Sequence, residues 1–128
     1  MAVVQPDDSA PKVDPGDAHG RVETLGIVLQ EVTPGGRIGP HVHDVDEAIT
    51  VLAGEAEVHL GDGVHRLGAG GVAFVPAGLP HATHNRGSTT LRIHAVFAAT
   101  SIEIATLDTD PPGRGRYDLR TDEYVVLD

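Results

Sequence analysis

The sequence predicts an all-β domain closed into a barrel or jelly roll, and three observations carry that prediction. No stretch of roughly 11 to 18 residues keeps apolar side chains at a 3.6-residue spacing, so amphipathic helices are not expected. The apolar runs are short and either alternate with polar residues or read as buried strands. Glycine-rich turns divide them, 16 of the 128 residues being glycine. About eight short strands separated in this way are best accommodated by an architecture that removes exposed sheet edges.

Taken in order, residues 1–21 are polar and carry Pro6, Pro11 and Pro15 among aspartates and glycines, too little apolar surface to order themselves. They read as a flexible arm or as a strand laid across a partner subunit, two readings between which one sequence does not decide. The single domain is expected over 22–110. Leu25, Ile27 and Leu29 alternate with smaller or polar neighbours, 48–53 is a buried-strand run, and Ala56, Val58 and Leu60 alternate against Glu55, Glu57 and His59. Gly61, Asp62 and Gly63 signal a tight turn into 64–67, and Gly68, Gly70 and Gly71 punctuate the approach to 72–75. Segments 91–99 and 102–107 complete the set. Residues 111–128, opened by Pro111, Pro112 and Gly113, read as a turn and a tail with at most one further strand at 124–127.

Bulk composition bounds the function. A chain of 128 residues, 40% hydrophobic and 22% charged, fits one soluble globular domain. Folding at this size removes about two-thirds of the unfolded surface from water, enough for a core and one enclosed pocket. The absence of cysteine excludes disulfides, thiolate metal sites and cysteine nucleophiles. A formal net charge of −10, with nine scattered Lys and Arg, excludes a nucleic-acid surface, which needs clustered cations. No apolar run approaches the roughly 18 residues of a membrane span, and the start lacks the basic-then-apolar layout of a secretory signal. Cytoplasmic residence without membrane contact is the expectation.

Eight histidines stand against two tyrosines, two phenylalanines and no tryptophan. His41 and His43 lie two apart, so on an extended strand they project from one face, close enough to share an ion. Glu47 regains that face and could add an oxygen. His81, beyond a turn at Pro76 and Gly78, could close the site from a neighbouring strand. Imidazoles suit zinc, copper, iron and nickel, and a carboxylate widens the range toward manganese.

These residues also carry a family resemblance. The run Gly35-Gly36-Arg37-Ile38-Gly39-Pro40-His41-Val42-His43-Asp44-Val45-Asp46-Glu47, followed by 48–53 and Gly54, resembles the first cupin motif with every signature position filled. The run from Gly70 through Pro76, Gly78 and His81 to Asn85 resembles the second. Only 15 residues, 55–69, separate the two, as in compact single-domain cupins of the cupin 2 type. The resemblance covers about Val22 to Thr100. It implies a cupin β-barrel, a double-stranded β-helix or jelly roll, whose interior holds one divalent metal on His41, His43, Glu47 and His81. Fe2+ is favoured, with Zn2+, Mn2+ or Ni2+ as alternatives. Gly35, Gly54 and Gly78 read as backbone turns with positive φ, and Pro76 as the stiffener of the turn that delivers His81.

The remaining candidates are weaker. Asn85 reads as a turn-stabilising side chain rather than a ligand, Thr83 as a hydroxyl beside His81, and His84 as pointing away. His59 reads as solvated and His65 as packed with Leu67. His94, on the Arg92/Val96 face of a late strand, is a candidate catalytic residue beside Glu47, because the corresponding strand lines the cavity in cupins.

Four protein ligands leave one or two positions open, the mark of a catalytic rather than structural ion. The leading expectation is an enzyme acting on a small chelating substrate, an enol, carbonyl compound or catechol-like molecule, most readily as a dioxygenase. An aliphatic pocket drawn from Ile49, Val51, Phe74, Leu91, Ile93 and Phe97 suits a small or medium substrate. The alternatives are a non-redox isomerase, lyase or cyclase, and a non-catalytic module in which the metal fixes a small ligand. Tyr117 and Tyr124 lie in the tail, away from both motifs, which argues against a tyrosine acid or base. Asp44 and Asp46 read as solvated loop carboxylates. A homodimer is expected from the exposed sheet edges of a small barrel.

Overall fold

The computed structural model describes residues 11–127, and these form β-strands and turns without a helix. In chain order the strands are β1 (Pro11–Val13), β2 (Gly26–Val32), β3 (Arg37–His43), β4 (Glu47–Ala53), β5 (Ala56–Leu60) and β6 (Gly63–Leu67). They continue with β7 (Val72–Val75), β8 (His81–His84), β9 (Leu91–Phe97), β10 (Ser101–Thr106), β11 (Arg114–Asp118) and β12 (Glu123–Val126). One sheet has the order β1-β2-β9-β4-β7 and the other β12-β11-β10-β3-β8-β5-β6. Every pairing is antiparallel. Among the described residues, no helix is long and apolar enough to cross a membrane.

Alternation sets the inner faces. On β4, Glu47, Ile49 and Val51 are buried while Ala48 and Thr50 are half-buried. On β9, Leu91, Ile93, Ala95 and Phe97 are buried and Arg92 is exposed. These rows meet Ala56 and Val58 of the other sheet in one cluster, and Ile102 and Leu119 in a second. Fully burying a Val or Leu contributes about 1.5–3 kcal/mol, so the in-facing rows fix which side of each strand faces the interior. On β2 that side belongs to Val28, Gln30 and Val32, which pair with inward residues of β9; Ile27 and Leu29 lie on the outer face.

Two local devices place the later site. Between the pairs Ile38↔Thr83 and His41↔His81 the β3–β8 register shifts, with one extra residue on β3. Gly39 and Pro40 occupy that bulge, suited to it because Pro40 has no N–H for the ladder. The bulge turns both Ile38 and His41 toward the interior although they are three apart. Gly78, at φ 82°, occupies the turn before β8 and donates its N–H to the His43 carbonyl at 2.9 Å. Gly35 and Gly54 also have positive φ, 80° and 84°, as expected. A Cβ on Gly54 would lie 2.9 Å from the Thr90 carbonyl oxygen.

The chain ends differ from the sequence reading. Of the arm assigned to 1–21, residues 1–10 lie outside the described residues; 11–13 form β1, paired to β2, and Asp17 and Gly20 bridge a turn. The tail holds two strands rather than one. β12 is near the strand expected at 124–127, but β11 has a polar sequence without strand periodicity. Its partner β10 imposes its extended form, assisted by the Arg114–Glu103 ion pair at 2.7 Å.

Candidate metal centre

His41 and His43 end β3, Glu47 begins β4 and His81 begins β8, so a chain reversal at 44–46 and one sheet pairing, His41↔His81, assemble all four. Asp46 pins the reversal: its Oδ1 accepts the Ala77 N–H at 2.9 Å, and its carbonyl accepts the Ala98 N–H at 3.1 Å. Asp44 likewise accepts the Glu103 N–H at 2.9 Å. These two carboxylates are exposed but engaged, structural rather than merely solvated.

One nitrogen from each of His41, His43 and His81 falls within 4.8 Å of the others. The Glu47 Oε1 lies 2.9 Å from His43 Nε2 and 3.3 Å from His81 Nε2. His43, Glu47 and His81 are all buried, and His41 is half-buried. The His43 and Phe97 rings also meet nearly perpendicular, with centroids 5.2 Å apart.

The tautomers follow from the backbone. His41 Nδ1 donates to the Gly39 carbonyl at 2.7 Å, His43 Nδ1 to Val45 at 3.2 Å and His81 Nδ1 to Leu79 at 2.9 Å. A carbonyl only accepts, so each Nδ1 carries a proton and each Nε2 is left as the coordinating nitrogen of a neutral imidazole. His43 Nε2, His81 Nε2 and Glu47 Oε1 are buried without a hydrogen-bond partner. A buried polar atom in that condition costs about 1–3 kcal/mol. Lone pairs of three imidazoles and one carboxylate aimed at one another fit a shared divalent cation. Burial lowers His41, against the partial opposition of its bond to Gly39.

The four residues open onto a cavity of about 710 Å³ between the sheets. Ile49, Ile93 and Phe97 line it as expected, while Val51 and Leu91 are buried in the neighbouring core. Phe74 is on the outside, 74% exposed. His94 also requires correction. It pairs with Leu29 and Thr50 on the outer face, between inward Ile93 and Ala95, and does not line the cavity. The apolar alternation of 91–97 already separates that face from the core. Thr83 is buried and lines the cavity below His81. Asn85 is buried and holds a turn, donating to the Val32 and Thr89 carbonyls at 2.8 Å each and accepting from Gly87 N–H at 3.0 Å. His59 is half-buried and bonds Glu57 at 2.8 Å, with His84 beside it. His65 is exposed on edge strand β6, not packed.

Sequence reasoning missed Gln30, Tyr117 and Tyr124, which all line the cavity. Gln30 was detectable in principle, since it shares the face of Val28. The tyrosines were not: β11 and β12 reach the cavity only through pairing with β10. The Tyr124 ring lies over Gly115, where a Cβ would collide with it. Tyr117 donates its hydroxyl to Asp122, and its phenol is pushed up to about 12, by burial first and by that carboxylate second.

A family model described as the cupin domain matches residues 28–97. An uncharacterised conserved protein with a double-stranded β-helix domain from Klebsiella pneumoniae superposes with a TM-score of 0.63 at 29% identity, over 83% of this chain and 91% of that one. A sugar phosphate isomerase from Silicibacter pomeroyi gives 0.67 at 22% identity, over 99% and 85% of the two chains. An oxalate decarboxylase from Bacillus subtilis gives 0.57 at 24%, over 60% and 22%. The last two likenesses are of fold alone, and their unlike names illustrate that a fold does not choose its chemistry. Among curated proteins, none matches the chain significantly.

Proposed function

Because the chain belongs to the cupin family, we propose that it is a metal-dependent enzyme acting on a small chelating enol, carbonyl or catechol-like compound, with dioxygenation as its leading reaction. One observation carries the reading: three imidazoles with their Nδ1 atoms tied to backbone carbonyls meet a buried carboxylate in a cavity between the sheets. His41, His43, His81 and Glu47 would hold the ion, Fe2+ in the first instance and Zn2+, Mn2+ or Ni2+ as alternatives. Four ligands leave room for substrate. When bound, the ion supplies Lewis acidity toward chelating oxygens and, as iron(II), one-electron reactivity with O₂.

The protein's own groups do the rest. Ile38, Ile49, Ile93 and Phe97 keep water from the ion and give the substrate an apolar seat. The Glu47 carboxylate, holding the ion through one oxygen, would offer the other to take a proton from a chelating hydroxyl. Gln30 and Thr83 offer neutral hydrogen bonds for orientation.

A second reading, non-redox isomerisation or lyase chemistry, is favoured by the two cavity phenols. Tyr117 is held protonated with its hydroxyl bonded to Asp122, so it takes no proton from substrate, which leaves base duty to Glu47. We also propose that the protein is a homodimer, supported by edge strand β12, where Tyr124, Val125 and Val126 are 50%, 58% and 73% exposed. Light scattering at a monomer mass would refute this.

The test is elemental analysis of protein purified without chelators or an added affinity metal, followed by O₂ uptake with chelating carbonyl compounds. Near-stoichiometric iron with O₂ consumption supports the leading reading. Zinc with anaerobic turnover supports the second. Tight ligand binding without product across several metals would establish a binding module instead.

A further inference from the structure

The cavity wall holds an asymmetry of charge that bears on what enters it. Among the described residues that line it there is no lysine or arginine. Its polar groups beyond the four candidate ligands are the neutral side chains of Gln30, Thr83, Thr106, Tyr117 and Tyr124, and two carboxylates, Glu31 and Asp108. Each of those carboxylates already has a cation: Glu31 pairs with Arg92 at 3.3 Å and Asp108 with Arg37 at 3.1 Å. Both arginines are about half exposed and stand outside the lining. The Tyr117 hydroxyl is committed to Asp122, so it cannot donate to a bound anion as well.

A divalent ion held by one carboxylate and three neutral imidazoles carries one net positive charge, which a single enolate-type oxygen neutralises. Any second negative charge that the chelating edge carries into the cavity would lose water there, face Glu31 and Asp108, and meet no lysine or arginine in the wall. Burying an unpaired charge is among the most unfavourable changes a site can make. Resting on the proposed metal centre, we infer that the substrate is a chelator with one ionisable oxygen and an otherwise uncharged, mainly apolar body, and that phosphorylated and dicarboxylate compounds are rejected. A volume of about 710 Å³ accepts such a molecule well beyond the chelating atoms.

Two ligands isolate the charge. Kojic acid and comenic acid share one hydroxypyranone chelating edge and differ in a hydroxymethyl group against a carboxylate. Their affinities for the metal-loaded protein, measured by calorimetry with metal content verified and each referred to its affinity for the free ion, should differ by about 100-fold in favour of kojic acid. The Gln30→Arg variant, which adds a cation to the wall, should narrow the ratio of kojic acid to comenic acid affinity by at least about tenfold. Equal or tighter binding of comenic acid by the unmodified protein would overturn the inference; loss of that binding in Arg37→Gln would then identify Arg37 as the cation. If neither compound bound to protein shown to contain metal, the open coordination position would be refuted and the inference with it. Failure to take up metal at all would overturn the metal centre itself.

Discussion

Replacing Asn85 with alanine separates the residues that build the metal centre from those that only hold its frame. Asn85 closes the second motif, 1% exposed, and its carboxamide makes three hydrogen bonds, to Val32, Thr89 and Gly87. Its backbone also exchanges bonds of 3.0 Å with Gly35 and Gly36, the turn that leads into the strand of His41 and His43. At about 1 kcal/mol net per bond, truncation should cost about 3 kcal/mol. For 128 residues, an unfolding entropy of about 2.1 cal/mol/K per residue amounts to about 0.27 kcal/mol/K, so Tm should fall by about 11 °C. Thermal unfolding followed by circular dichroism with excess chelator removes the metal's own contribution to stability. Metal analysis of the same variant at low temperature should match the unmodified protein. A Tm within about 2 °C of the original, or loss of metal without loss of Tm, would refute the structural role and make Asn85 a ligand.

Three further outcomes are expected. His81→Ala and Glu47→Ala should each weaken metal binding by more than about 100-fold while the far-ultraviolet spectrum is kept, since even partners behind metal ligands cost about 10–100-fold; metal retained in either variant would remove that residue from the site. His94→Ala should keep both metal content and any turnover, because the ring stands on the outer face of the five-stranded sheet; loss of either would show that the face was misassigned. Tyr117 should ionise near about 12 in an ultraviolet titration compared with Tyr117→Phe. Its folded pKa is raised above the unfolded value of 10.0, so the stability it contributes is whole below pH 10 and declines as pH rises through 12. A phenol titrating at its ordinary value would contradict the bond to Asp122.

The four candidate ligands were legible because their signal is local. His41 and His43 sit at strand spacing, Glu47 follows across a short reversal, and His81 lies behind the Pro76 and Gly78 turn, so three stand in the first motif and one in the second. The turn glycines were legible for a similar reason, as positive φ is a property of a single residue. His94 was misjudged although the information was present: Leu91, Ile93, Ala95 and Phe97 claim the inner face, and alternation sends His94 outward. The resemblance places this strand along the cavity, but its period of two decides which side chains face inward.

By itself the sequence determined the all-β class, the turns, and which side chains could hold an ion, because alternation, glycine conformation and donor chemistry are written in adjacent residues. Tertiary structure alone decided the rest. The bulge at Gly39 and Pro40 shows only against β8, yet it aims His41 inward. The polar strand β11 exists because β10 offers it a hydrogen-bonded edge, and with β12 it brings Tyr117 and Tyr124 to a cavity far from them in sequence. The absence of lysine and arginine among the described lining residues, on which the inferred substrate depends, emerges only when strands from both sheets face one another. Such features rest on long-range pairings, whose register is set by the burial of whole strand faces rather than by the residues of any one segment.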